Sequence, residues 1–151
     1  FILGLALAIA PVGGWVAITG RFSTVAWILG AAVLTWVAGF DVIYACQDID
    51  FDRSHGLFSI PARLGVARAL VLARLLHAGT LAALVGVGLL AGLHPLYWIG
   101  ITLIAGILVW EHRLVRGDDL SKAGMAFFNM NVVISLLYFA VVLLAVMLHQ
   151  S

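Results

Sequence analysis

Apolar residues run through this chain in stretches too long for a soluble core to hide. Five can be traced, at about 1–19, 24–46, 66–90, 95–110 and 123–148. A helix needs roughly 20 consecutive, predominantly apolar residues to cross the hydrocarbon of a bilayer. Most of the five reach or approach that length, and 95–110 is the shortest. Hydrophobic residues make up 64% of the chain and charged residues 10%, with a mean hydropathy of +1.17. Soluble domains carry about 25% charged residues, so the apolar surplus here must face lipid. The expectation is an all-α membrane protein with five transmembrane helices.

The connections between these stretches set an orientation. Arg53, Arg63 and Arg68 fall between the second and third, and Arg113, Arg116 and Lys122 between the fourth and fifth. The alternate turns, 20–23 and 91–94, contribute only Arg21. Basic residues concentrate on cytoplasmic loops, so both polar connections are expected in the cytoplasm. Trp15, Trp27, Trp36, Trp98 and Trp110 read first as a headgroup belt, the usual place for indoles in such chains. A net charge of +1 argues against a nucleic-acid partner, which needs a concentrated basic surface. One cysteine, Cys46, excludes an internal disulfide and a thiolate-rich zinc site. The chain opens at Phe1 inside an apolar run, with no basic leader, and reads as starting in mid-protein.

Chemistry concentrates in one place. Asp41, Asp48, Asp50 and Asp52 lie within twelve positions and are four of the seven acidic residues. They stand where an apolar helix runs into a cytoplasmic loop, and carboxylates at membrane depth are costly unless hydrated, paired or bound to a cation. At about 100° per residue, Asp48 and Asp52 fall roughly 20° either side of Asp41, with Tyr44 roughly 60° away. If the helix continues, these four form one stripe and Asp50 points elsewhere. Asp48 and Asp52 are then expected to hold a metal ion together, with Asp41 one layer deeper. Mg²⁺ suits such a site, because it takes hard oxygen ligands and bridges to substrate phosphates. Arg53 and Arg63 can donate to phosphate oxygens, and Gln47 borders the stripe. An apolar cavity beside this site would take a lipidic substrate with a diphosphate head. A solvated acidic helix end is the plain alternative.

The run DVIYACQDIDFDRSHGLFSIPARLG, 41–65, resembles the second aspartate-rich motif of the UbiA prenyltransferase family, D-x-x-Y-x-x-x-D-x-x-x-D. Asp41, Tyr44, Asp48 and Asp52 fill its fixed positions, and Phe127-Phe128-Asn129-Met130-Asn131 is similar to a later family segment. The likeness extends over essentially the whole chain and is nearest to the 4-hydroxybenzoate polyprenyltransferase branch. It implies that 1–151 is the C-terminal portion of a single domain, the last five of nine transmembrane helices. It implies Mg²⁺-dependent transfer of a polyprenyl group from polyprenyl diphosphate to an aromatic acid in quinone biosynthesis (ubiquinone or menaquinone), at a bacterial inner membrane. Carried over, Asp48 and Asp52 are the motif's Mg²⁺ ligands; with Asp41 and Tyr44 they make the catalytic candidates, and Arg53, Arg63, Gln47 and Asn131 are the candidate substrate contacts. The family's first motif, N-D-x-x-D-x-x-x-D, has no counterpart here, since no acid precedes Asp41. Rival readings are another acceptor (a dihydroxynaphthoate, haem or a sugar phosphate) or a divalent-cation transporter.

Other polar residues have simpler readings. Ser59 before Pro61 marks a helix start. Arg74 and His77 share a helix face and could line a chamber, or Arg74 could snorkel to the surface. Glu111, His112, Arg113, Asp118 and Asp119 suggest a salt-bridged loop, with Asp118 or Asp119 capping the last helix. Asn129 and Asn131 read first as interhelical bridges, and glycines such as Gly86 and Gly88 as sites of close packing.

Overall fold

The computed structural model describes residues 2–115 and 123–149, the side chains of 123–129 and 149 excepted. Every regular element among the described residues is an α-helix: α1 (Ile2–Thr19), α2 (Thr24–Ala45), α3 (Ile49–Ser54), α4 (Ile60–Leu64), α5 (Val66–Ala91), α6 (Leu96–Leu114) and α7 (Ala123–His149). The expected stretches match the long helices to within a few residues. Asp118 and Asp119 lie outside the described residues.

Four segments are long and apolar enough to cross a membrane: α1, α2, α5 and Met130–Leu148 of α7. α6 is 19 residues long but ends in Glu111-His112-Arg113-Leu114, so its apolar part falls short. Length and hydropathy therefore mark four spans where the sequence led to an expectation of five. Glu111, His112 and Arg113 are the last turn of this helix rather than a loop.

Small residues let the long helices approach. A methyl group on Gly30 of α2 would stand 2.8 Å from the Ala8 carbonyl of α1. On Gly39 it would run into the His77 ring of α5, and on Gly100 of α6 into Val141 of α7. Gly88 gives way to Tyr97 in the same manner, while Gly86 makes only ordinary contact with Ile28. With lipid outside, such close packing is what holds helices together. One polar tie crosses the α2–α5 seam, the Thr35 and Thr80 hydroxyls at 2.9 Å. The main apolar core gathers Leu84, Val87, Tyr97, Ile104, Leu108, Ile134 and Val141, and the Tyr97 hydroxyl donates to the Leu84 carbonyl at 2.8 Å. A second cluster, Val42, Ile43, Cys46, Ala69, Leu70, Ala73 and Val115, closes the polar end. There the end of α2, the starts of α4 and α5 and the end of α6 meet.

Candidate active site

The helix carrying Asp41 does not continue through the acidic run. α2 stops at Ala45, and the Cys46 and Gln47 amides bond back three residues, to Ile43 and Tyr44. Asp48 sits at φ −98°, ψ 11°, in the sparsely used bridge between helix and strand. Its carbonyl accepts the Asp52 amide at 2.8 Å, which starts α3. The four-residue stripe on one helix is therefore corrected. Asp48 and Asp52 remain one helical turn apart on α3, while Asp41 and Tyr44 belong to α2 across the break. The physical reason is local: the tightened turn at 46–48 spends the residues a continuous helix would have used to carry the stripe onward.

α3 is held at both ends. Asp50 and Asp52 occupy its first turn, where the helix dipole favours negative charge. Gly56, at φ +65°, closes it: its amide bonds to the Arg53 carbonyl, and the Leu57 amide to that of Asp52. This pairing of carbonyls with a left-handed glycine is the Schellman closure. Asp52 is buried at 9% exposure, whereas Asp48 and Asp50 are exposed. α4 begins as the sequence suggested, with the Ser59 hydroxyl accepting the Ala62 amide at 3.3 Å and Pro61 in the first turn.

The remaining candidates distribute unevenly. Asp41 lines a cleft of ≈ 180 Å³ with Ser59 and Ile60, so α4's start is brought against it. Gln47 is exposed in the turn, and Arg53 is exposed in α3's last turn. Arg63 is exposed, its guanidinium 5.1 Å above the Phe58 ring. Asn131 is on α7, away from the acidic run in sequence, and its buried Oδ1 lacks a hydrogen bond among the described residues. An amide bridge through that oxygen is thus not formed. Cys46 is fully buried, and burial pushes its thiol up to about 11, so it stays neutral.

A ladder of rings on α2 connects the acidic end to the interior. Tyr44 meets Phe40 edge-on at 6.3 Å, and Phe40 meets Trp36 edge-on at 6.0 Å. Trp36 then lines an apolar pocket of ≈ 180 Å³ with Thr80, Leu108, Ile134 and Tyr138. Its indole nitrogen is buried without a hydrogen-bond partner among the described residues. Trp15, Trp27 and Trp110 are exposed, as a belt requires, but Trp36 is a pocket wall. The i, i+4 spacing of Trp36, Phe40 and Tyr44 was the available signal for this role.

Glu111 is the other residue that sequence reasoning misplaced. It extends the buried stripe Tyr97, Ile101, Ile104 and Leu108 by one turn and is 0% exposed. Among the described residues neither of its oxygens has a hydrogen-bond partner. No salt-bridged loop forms around it among the described residues.

As a metal site the acidic end is partial. Among the described residues no three His, Cys, Asp or Glu side chains converge to hold an ion. Asp48 and Asp52 do offer two hard oxygen donors one turn apart, Asp52 drawn out of water. That set fits Mg²⁺, which is commonly bound by one or two carboxylates together with substrate phosphates.

A bundle of apolar helices with carboxylates, guanidinium groups and aromatic rings gathered at one end defines an integral membrane protein with a polar site at one end of its helices. The chain belongs to the UbiA prenyltransferase family, whose model matches residues 1–134. It is 34% identical over 128 residues to a 4-hydroxybenzoate octaprenyltransferase of Chromohalobacter salexigens, covering 85% of this chain and 43% of that protein. It is 33% identical over 144 residues to the Tolumonas auensis protein of the same name, covering 95% of this chain and 50% of that protein. A 4-hydroxybenzoate solanesyltransferase of Synechocystis is 30% identical over 146 residues, 95% of this chain and 49% of that protein. The apo structure of a UbiA homolog from Aeropyrum pernix superposes with a TM-score of 0.79 at 34% identity, over 94% of this chain and 53% of that one. The chain spans about half the length of the curated relatives it matches.

Proposed function

We propose that this chain contributes the second aspartate-rich half of the active site of a polyprenyltransferase that acts on an aromatic acid, with 4-hydroxybenzoate as the favoured acceptor. The observation that carries this reading is the continuity of the site. Asp48 and Asp52 stand one turn apart at the polar end, and the ladder Tyr44–Phe40–Trp36 leads from that end to an apolar pocket. A substrate with a charged head and an isoprenoid tail matches both parts. The names of the curated relatives support the choice of acceptor.

In this reading Asp48 and Asp52 hold Mg²⁺, which would neutralise the diphosphate and assist its departure. Arg53 and Arg63 donate to the diphosphate oxygens as the allylic C–O bond breaks and negative charge collects there. Gln47 reaches the same head from the turn. Asp41 and Tyr44 line the mouth, and the rings below it face the allylic cation, an arrangement that π-faces stabilise. A ring carbon of the acceptor attacks the allylic carbon, a C–C bond forms, and the ring proton leaves to a base. Asn131 is assigned to substrate contact on α7. The five long helices form the C-terminal part of a nine-helix domain in a bacterial inner membrane, with the acidic end facing the cytoplasm.

The test uses membranes containing the whole protein, polyprenyl diphosphate and labelled 4-hydroxybenzoate. Product that requires Mg²⁺ and falls at least a hundredfold in Asp48→Ala and Asp52→Ala, on the order expected for lost charge stabilisation of a leaving group, supports the assignment. Asp50→Ala is expected to retain activity. Mg²⁺-dependent product only with a dihydroxynaphthoate, haem or a sugar phosphate would change the acceptor. Equal loss in all three variants would sink the two-carboxylate assignment.

A further inference from the structure

A second cleft opens between α5 and α6, on a different face of α5 from the apolar pocket. Its volume is ≈ 370 Å³, within the usual span of ligand clefts, about 300–1,000 Å³. α5 lines the apolar pocket with Thr80 and Leu84, but lines this cleft with Arg74, His77, Ala78 and Leu81. α6 adds His112 and Arg113. Two arginines and two histidines thus stand among the residues of a largely apolar cleft, and no acidic residue lines it among the described residues.

The level of these groups is fixed by the His77 Nδ1–His112 Nε2 hydrogen bond at 2.9 Å, which pins the fourth turn of α5 to the last turn of α6. Arg74 precedes His77 by three residues, about 4.5 Å nearer the polar end. Arg113 follows His112 at the same end. Both arginines are exposed, while His77 is 2% exposed. Ala78 and Leu81 continue the wall in the opposite direction, toward the middle of the helices. Cationic groups toward the polar end of two helices, above an apolar wall, match one kind of molecule, an amphiphile with an anionic head. Basic pockets between membrane helices on the cytoplasmic side hold such headgroups.

We infer that the α5–α6 cleft binds an anionic phospholipid, its phosphate between Arg74 and Arg113 and the start of its acyl chains against Ala78 and Leu81. The charge complementarity is direct, and the imidazole pair, His77 buried and His112 half-buried, lies beneath the phosphate. None of these residues belongs to the proposed prenyl-transfer site, so the inference stands apart from that reading.

The experiment measures binding of phosphatidylglycerol to the whole purified protein by native mass spectrometry, with phosphatidylcholine and inorganic phosphate as comparison probes. Phosphatidylglycerol is expected to be retained in preference to phosphatidylcholine. The double variant Arg74→Gln/Arg113→Gln should weaken it on the order of thirtyfold, the effect of two surface cations near an anionic lipid. Leu81→Trp, which keeps both arginines and fills the apolar wall, should weaken retention too, and gel filtration checks that each variant is folded. If the arginine pair cannot be purified folded, Leu81→Trp alone decides. Equal retention of the two lipids, or unchanged binding in either folded variant, overturns the inference. Inorganic phosphate binding that is lost in the arginine variant but insensitive to Leu81→Trp would identify a free anion site and also overturn it.

Discussion

Gly39 and His77 show how a single atom sets the α2–α5 seam. A methyl group at position 39 would collide with the His77 ring, and that ring is held on its other side by His112. Gly39→Ala must therefore either push the helices apart or break the imidazole pair. Overpacking of this kind costs about 1–3 kcal/mol. The expected outcome is a lowered melting temperature that His77→Ala, added in the same molecule, partly restores. Restoration would trace the loss to this one contact. A loss that His77→Ala leaves untouched or deepens would place the strain elsewhere. Glu111 is the opposite case, a residue whose neighbours gave no warning in the sequence. Its buried carboxyl, without a hydrogen bond among the described residues, comes from the helical period of α6, which puts position 111 on the buried face one turn beyond Leu108.

Among the elements, the short helices at the polar end matter most for the site. α4 has five residues and depends on its cap, the Ser59 hydroxyl on the Ala62 amide. Ser59→Ala removes that acceptor and is expected to cost about 1 kcal/mol. Because Ser59 also lines the Asp41 cleft, the variant should loosen this end locally. Hydrogen exchange ought to quicken at the α4 amides while the Thr35–Thr80 seam of α2 and α5 stays protected; uniform quickening would point to global destabilisation instead. The turn at 46–48 decides more than any cap. It separates Asp41 and Tyr44 from Asp48 and Asp52, and a helical projection drawn through it puts all four on one line. The relation of Asp48 to Asp52 survives because α3 restarts at Asp48 itself.

At the scale of the whole molecule, orientation is the property most open to measurement. Phe22 in the first turn is 76% exposed and Phe58, before α4, is 86% exposed, at opposite ends of α2. The native Cys46 is a silent background: it is fully buried, and its thiol, raised to about 11, stays protonated at neutral pH, where maleimides need thiolate. Phe58→Cys is expected to react with a membrane-impermeant maleimide only in inverted vesicles, and Phe22→Cys in intact cells. The reverse pattern would overturn the cytoplasmic placement of the acidic end, and with it the direction from which diphosphate is expected to arrive.

The long helices were legible because lipid imposes one rule along the whole chain: every backbone group in hydrocarbon must bond within its own helix. Runs of apolar residues therefore fixed α1, α2, α5 and α7 to within a few positions, and the motif at 41–65 marked the family that the comparisons bear out. The polar last turn of α6 showed that hydropathy alone counts a helix by what it exposes, not by where it packs. Period and composition could not reveal the break at 46–48, since Cys46-Gln47-Asp48 holds no glycine or proline to mark it. Nor could they reveal that Trp36 walls a pocket, that Glu111 is buried, or that His77 meets His112. Those facts depend on which helix lies against which, and that was decided by glycines and side-chain volumes meeting between helices, as Gly39 meets His77 and His77 meets His112. The chain's own period sets which residues share a face; only the packing of the bundle sets what each face meets.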